Sequence, residues 1–230
     1  VNGERYYLVP YRSYFDYNNI KELKVRILND MELCFNNFIN ENYLDTMFLL
    51  FENEVDEKNN SLLLNAIRNL PIELVKNWEF LLIGPSTQEF SKEVALFKEK
   101  NPAIANCINM TGEINNRNTL YSYLRRAKII CMTSLSESTC ISTLEGMYFG
   151  AYPVITNYSD FTLDTTNNNK VGCIVENKNI NALVSSLKHI MSDDNLYCKG
   201  LESQFYVRSV FDYGVLTKSL DSILRRYIKG

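Results

Sequence analysis

From residue 46 onward, apolar residues fall into short unbroken runs separated by amphipathic stretches. TMFLLF (46–51), EFLLIG (79–84), CINM (107–110), KIICMT (128–133), YPVIT (152–156) and GCIVE (172–176) are too short for core helices and read as buried strands. Helical spacing lies between and after them. SLLLNAIRNL (61–70) is a helix stopped by Pro71, and a charged helix follows at about 88–100. Asn118 to Arg126 is the next, and ISTLEGMYFG, beginning at Ile141, is stopped at Gly150. Further helices are predicted at about 179–192, 196–205 and 214–229. Upstream, Ile20, Leu23, Ile27, Leu28, Met31, Cys34, Phe35, Phe38 and Ile39 predict a helix over 19–40. Residues 1–18 are tyrosine-rich and irregular, with an extended stretch at Tyr6–Val9 ended by Pro10. The stretch between YPVIT and GCIVE, rich in Asn, Thr and Asp, reads as a solvated loop, including the NNN at 167–169.

The strands are continuously apolar rather than alternating, and helices separate them. That pattern means α/β architecture with a parallel sheet covered by helices on both faces. The organisation expected is an N-terminal extension with one helix (1–40), one α/β domain (41–215) and a C-terminal helix (216–230).

Composition narrows the function. The chain has 230 residues, 46% hydrophobic and 22% charged, which is ordinary for a globular protein. A net charge of −3 argues against a broad nucleic-acid surface, and nucleic acid is not an expected partner. No uncharged apolar stretch approaches the roughly 20 residues of a membrane helix. The only histidine is His189, which excludes multi-His metal sites and argues against Ser–His–Asp chemistry. The six cysteines include no C-x-x-C spacing, so a zinc ribbon has no support. Cys107, Cys131 and Cys173 sit in apolar runs and read as reduced structural thiols, which places the protein in the cytoplasm. The first residues, VNGERYYLVPYRS, lack the apolar core of a signal peptide.

In a parallel sheet, ligands bind beyond the carboxyl ends of the strands. Three loops there carry polar side chains: Glu52–Asn60, Gly84–Gln88 and Ser134–Ser142. The third joins a buried strand to a helix beginning near Cys140–Ser142. Its free amides and positive dipole end suit a phosphate. Glu137 precedes that helix, and Glu145 stands one turn into it, about 6 Å further along the axis. Singly, Glu137 reads as an acid favoured near a helix N-terminus and Glu145 as a solvated helix position. Together they outline an anion or nucleotide site. No G-x-G-x-x-G follows any strand, so a dinucleotide-dependent oxidoreductase is a poor reading.

The segment ESTCISTLE followed by GMYFGAYPVIT resembles the Glu-x7-Glu signature of retaining GT-B glycosyltransferases of the glycosyl transferase group 1 family. The matches are Glu137, Leu144, Glu145, Met147, Gly150, Pro153, Val154 and Ile155. Thr111-Gly112, Leu120-Tyr121 and Ala127, the EFLLIG strand, and VGCIVENKNINALVSSLKHIM extend the resemblance over about 46–192. It implies a Rossmann-like, C-terminal half of a GT-B fold that binds a nucleotide diphosphate sugar, with a UDP-sugar expected. By that resemblance Glu145 binds the ribose hydroxyls and Glu137 contacts the donor sugar in catalysis. The amides around Cys140, Ile141 and Ser142 receive the diphosphate, Lys58 neutralises it, and the base lies near Gly112–Ile114. No metal or other cofactor is needed, because basic side chains and the helix N-terminus hold the phosphates. The resemblance implies a hexosyltransferase in polysaccharide biosynthesis. Its glycan, lipid or protein acceptor would be held by an N-terminal half outside this chain, and the full-length protein could associate peripherally with a membrane. Two positions depart from the family. Asn53 stands where an arginine is usual, among Glu52, Glu54, Asp56 and Glu57, and Ser138 and Cys140 replace small glycines. The alternative is therefore a catalytically inactive glycosyltransferase-like module that binds a partner protein or glycan.

Overall fold

The structure, a computed structural model, describes residues 45–50 and 59–228, with side chains over 59–218 and at 220, 221 and 225. The predicted helix over 19–40 and the extended Tyr6–Val9 lie outside the described residues. Six strands form one sheet: β1 (Asp45–Leu50), β2 (Trp78–Ile83), β3 (Ile108–Gly112), β4 (Ala127–Met132), β5 (Tyr152–Thr156) and β6 (Cys173–Val175). Their spatial order is β3-β2-β1-β4-β5-β6, and every neighbouring pair is parallel. In register, Phe48 of β1 pairs with Leu81 on one side and Ile130 on the other.

Parallel neighbours require crossovers, and the helices supply them. α1 (Asn60–Asn69) and α2 (Ile72–Val75) lead from β1 to β2. α3 (Gln88–Lys100) leads to β3, α4 (Arg117–Arg126) to β4, α5 (Ile141–Tyr148) to β5 and α6 (Phe161–Thr165) to β6. α7 (Ile180–Met191), α8 (Leu196–Val210) and α9 (Tyr213–Ile228) follow. Leu44–Tyr206 is one compact unit, and the chain from Val207 onward belongs to a second. In the second, the Asp212 carboxylate accepts from the N–H of Gly214 and Val215 and so caps α9.

Alternate strand residues face opposite layers, which is why the strands are apolar without interruption. Phe80, Leu82, Ile129, Cys131 and Val154 pack with Leu63, Ile67, Phe90, Val94, Leu183 and Leu187 of α1, α3 and α7. Leu81, Ile83, Ile130, Met132 and Ile155 pack with Leu120, Tyr121 and Leu124 of α4 and with Cys140 at the start of α5. Caps fix where helices begin. Thr87 accepts from the Phe90 N–H, Asn116 from Thr119 and Asn179 from Ala182. Among the described residues no helix is long and apolar enough to cross a membrane.

The stretch read as a solvated loop contains α6. Its polarity is local: Thr165 and Thr166 donate to the carbonyls of Phe161 and Thr162, four residues back, at 2.9 Å each. Asn167, Asn168 and Asn169 then take left-handed φ of 49°, 55° and 65°, which Asn tolerates better than other side chains. The Asn169 side chain accepts from the Ile174 N–H at 2.8 Å, so the turn sets the entry to β6. The helix expected over 196–205 continues to Val210.

α5 is pressed onto the sheet. A Cβ at Gly146 would run into the Ile130 side chain, reaching Cδ1 first and lying 3.0 Å from Cβ. Gly150, at φ 97°, ends the helix, with the Ala151 N–H returning to the Gly146 carbonyl at 3.0 Å. Gly146→Ala is therefore expected to destabilise by about 1–3 kcal/mol, because fully buried Ile130 has nowhere to move. Ile130→Val alone should cost about 0.5–1.5 kcal/mol, yet relieve the alanine when the two are combined. Urea unfolding of the two single variants and the double variant checks this, and strictly additive losses would show that the contact does not limit the approach of α5.

Candidate functional site

The strand order reverses between β1 and β4, and the carboxyl ends of these two strands open a crevice where ligands bind in such sheets. The β4–α5 loop and Asn59, just before α1, border it. The two are tied together, since the Thr133 hydroxyl just after β4 donates to the Asn59 carbonyl before α1 at 3.0 Å. Asn59 holds a left-handed φ of 49°.

Buried hydroxyls shape the β4–α5 loop. Thr133, Ser134 and Thr156 are all buried. Thr156, at the end of β5, donates to the Ser134 carbonyl at 2.5 Å. The Asn177 side-chain amide donates to the Asn157 carbonyl at 2.7 Å and to the Leu135 carbonyl at 3.4 Å. The Ser134 hydroxyl in turn donates to the Glu137 carboxylate at 2.8 Å. Glu137 is thus held by the end of β4 from within its own loop, and stays part-exposed at the crevice.

The residues predicted to bind a diphosphate lie at the start of α5. Cys140 is its N-cap, and its buried sulfur accepts from the Thr143 hydroxyl at 3.1 Å. The Ile141 N–H is already bonded to the Thr139 carbonyl, and those of Thr143 and Leu144 go to the Cys140 carbonyl. The Ser142 N–H is the first-turn amide of α5 without a backbone acceptor among the described residues. No acidic side chain occupies that first turn, so the dipole end is not neutralised from within the helix.

Glu145 is not the solvated helix position that its place one turn into a helix suggested. It is only 5% exposed, and its Oε1 lies 3.7 Å from Nη1 of Arg117, the first residue of α4. A buried carboxylate carries a large desolvation cost unless a cation or donor faces it. Arg117 escaped the sequence reading because the pairing spans two crossovers. One signal was present: a basic residue in the first turn of a helix opposes the helix dipole, so something else must hold it there.

Gly112 ends β3 with a left-handed φ of 69°, and its carbonyl accepts from the Gly84 N–H at 3.0 Å. The two loops beyond β2 and β3 are therefore joined beside the crevice. Lys58 and Asn53 lie outside the described residues. The cysteines of the sheet are not reactive groups of the site: burial pushes the Cys131 thiol up to about 12, with Cys173 adding to the shift. His189 is exposed on α7, away from the strand ends.

Comparison with known proteins agrees with this geometry. The family described as Glycosyl transferases group 1 matches residues 36–202. A curated relative from Campylobacter jejuni is a GalNAc-alpha-(1->4)-GalNAc-alpha-(1->3)-diNAcBac-PP-undecaprenol alpha-1,4-N-acetyl-D-galactosaminyltransferase. It is 26% identical over 148 residues, covering 64% of this chain and 39% of the relative. WaaG, a glycosyltransferase involved in lipopolysaccharide biosynthesis, superposes with a TM-score of 0.64 at 17% identity over 85% of this chain and 51% of its own. Anabaena HepE in complex with UDP and glucose gives 0.66 at 14% identity over 80% and 49%. The C-terminal domain of the glycosyl transferase group 1 family protein LpcC of Francisella tularensis gives 0.61 at 19% identity over 77% of this chain and 92% of its own. The chain thus spans about two fifths of the curated relative and about half of WaaG and HepE. The matched span holds the whole sheet, the switch-point loops and both glutamates, and the chain belongs to the glycosyl transferases group 1 family.

Proposed function

We propose that this chain is the donor-binding half of a retaining GT-B glycosyltransferase that transfers a sugar from a nucleotide diphosphate sugar. The observation that carries the proposal is the pair of carboxylates on either side of the start of α5. Glu137 is part-exposed and held by Ser134, and Glu145 is buried and faces Arg117. In this reading the diphosphate meets the open Ser142 amide and the positive end of α5. Glu145 accepts the ribose hydroxyls. Glu137 reaches the donor sugar and supports positive charge developing at the transferred carbon, since a fixed carboxylate is preorganised for it. Lys58 supplies the cation for the phosphates.

UDP in the HepE complex favours a UDP-sugar. The activity of the Campylobacter jejuni relative favours a hexosaminyl or hexosyl donor and a glycan acceptor on a lipid. The match of LpcC's C-terminal domain along nearly its full length favours the C-terminal half as the part in hand. The acceptor would then be bound by a second half, with the enzyme working at the cytoplasmic face of a membrane. Asn53 keeps a second reading open, an inactive module that binds a glycan or protein partner.

Two measurements test the site. Glu145→Ala removes the charged acceptor for two ribose hydroxyls, a loss of roughly 1.5–3 kcal/mol. UDP affinity by calorimetry is expected to fall at least tenfold, and equal affinity in the variant would remove the ribose assignment. Asn53→Arg should restore a cation beside Lys58 and tighten UDP binding about threefold to thirtyfold, or ~0.7–2 kcal/mol. The gain should shrink with added salt and be much smaller for uridine, which has no phosphate to meet the guanidinium. An equal gain for uridine would show that residue 53 does not face the phosphates.

A further inference from the structure

Helix electrostatics do not explain the place of Arg117. It opens α4, and a cation in the first turn of a helix is disfavoured by the dipole. No acidic residue shares that turn to offset it, and the turn already has its cap in Asn116, whose side chain accepts from the Thr119 N–H at 3.1 Å. Its side chain is 36% exposed, at the rim of the fold rather than deep in the core. What it does meet is the buried Glu145 carboxylate across the sheet's switch-point side, at 3.7 Å.

Glu145 has little freedom of its own. Its helix neighbour Gly146 lies on Ile130, and Thr143, Gly146 and Met147 are buried with it. The backbone of Glu145 is fixed by packing, and the guanidinium faces its carboxylate and supplies opposite charge to it. At 3.7 Å the pair is an ionic contact looser than a bidentate fork. Arg117 also follows directly on the four-residue stretch 113–116 that leaves β3 at Gly112. It therefore connects the β3–α4 loop with the glutamate on α5.

We infer that Arg117 is a positioning residue for the nucleoside part of the donor, holding the Glu145 carboxylate aimed for the ribose hydroxyls. The inference rests on the ribose role of Glu145 given above. It makes Arg117 a determinant of ribose recognition that acts through Glu145, with no contact to the sugar being transferred.

The experiment is calorimetric titration of the chain with UDP and with 2′-deoxy-UDP. The unmodified protein is expected to prefer UDP by about tenfold, as the loss of a hydrogen bond to a charged group implies. Glu145→Gln should abolish most of that preference. Arg117→Met, which keeps side-chain length, should weaken UDP binding by about five- to twentyfold. It should also reduce the UDP preference to less than threefold, with 2′-deoxy-UDP affinity nearly unchanged, and Arg117→Lys should recover part of the preference. A purely structural role for Arg117 would weaken both ligands equally, or lower the melting temperature without touching the preference, and either result overturns the inference. So does tighter UDP binding in Arg117→Met, which would mean that the guanidinium competes with the ribose. If Glu145→Gln keeps the full preference, the ribose assignment of Glu145 falls and this inference falls with it. If Glu145→Gln loses the preference and Arg117→Met retains it, the assignment stands and only the inference is overturned.

Discussion

Helix α5 lies as close to β4 as it does because residue 146 has no side chain. Glycine inside a helix costs about 0.5–1 kcal/mol relative to alanine, and here the cost accompanies direct contact between the helix and the Ile130 side chain. Two further glycines extend the same constraint. Gly150 turns the chain out of the helix in a left-handed conformation, and a Cβ at Gly200 of α8 would meet the Gly150 carbonyl. An eight-residue helix has little cooperativity of its own, so its position is set by these contacts. Fixing the helix fixes where its N-terminal amides and Glu145 stand relative to the strand ends.

The electrostatics follow from that placement. Burying Glu145 removes water from a carboxylate, and Arg117 meets the resulting charge at the rim. On the other side of the helix start, Glu137 is tethered by Ser134, whose own carbonyl is tied to Thr156 of the neighbouring strand. One carboxylate is therefore positioned by the helix and the other by the loop. Both supports trace back to β4 and β5, the strands that stack most directly on α5.

The layers of the fold were legible in the sequence because they depend on one local property. A strand covered on both faces is apolar at every position, as in FLLI of β2 and IICM of β4, and the amphipathic stretches between such strands fill the crossovers. Of the elements missed, α6 is polar because its threonine hydroxyls satisfy its own backbone, which a hydropathy pattern cannot distinguish from a solvated loop. The candidate site was legible in part. Glu137, Glu145 and the start of α5 lie within one short segment. The groups that hold them do not: Arg117 lies on the preceding crossover, and Thr156 and Asn177 reach the loop from β5 and beyond β6. Glu145 read as solvated because helical periodicity places a residue on a face without saying how near the next element comes.

The charge inventory around the crevice sets what kind of ligand can remain there. Beside the start of α5 stand the carboxylates Glu137 and Glu145, and the part-exposed Arg117 guanidinium faces Glu145. A nucleoside diphosphate adds further negative charge. The dipole of α5, about half an elementary charge, and one open amide cannot balance it alone. In the proposed reading Lys58 makes up the difference, in a stretch that also carries Glu52, Glu54, Asp56 and Glu57. In the proposed reading, ribose recognition draws on a buried carboxylate, whereas phosphate recognition draws on charges that water and salt can reach. The two halves of the donor would then be held by interactions of different salt sensitivity. Added salt should strip the phosphates from the site before it loosens the nucleoside.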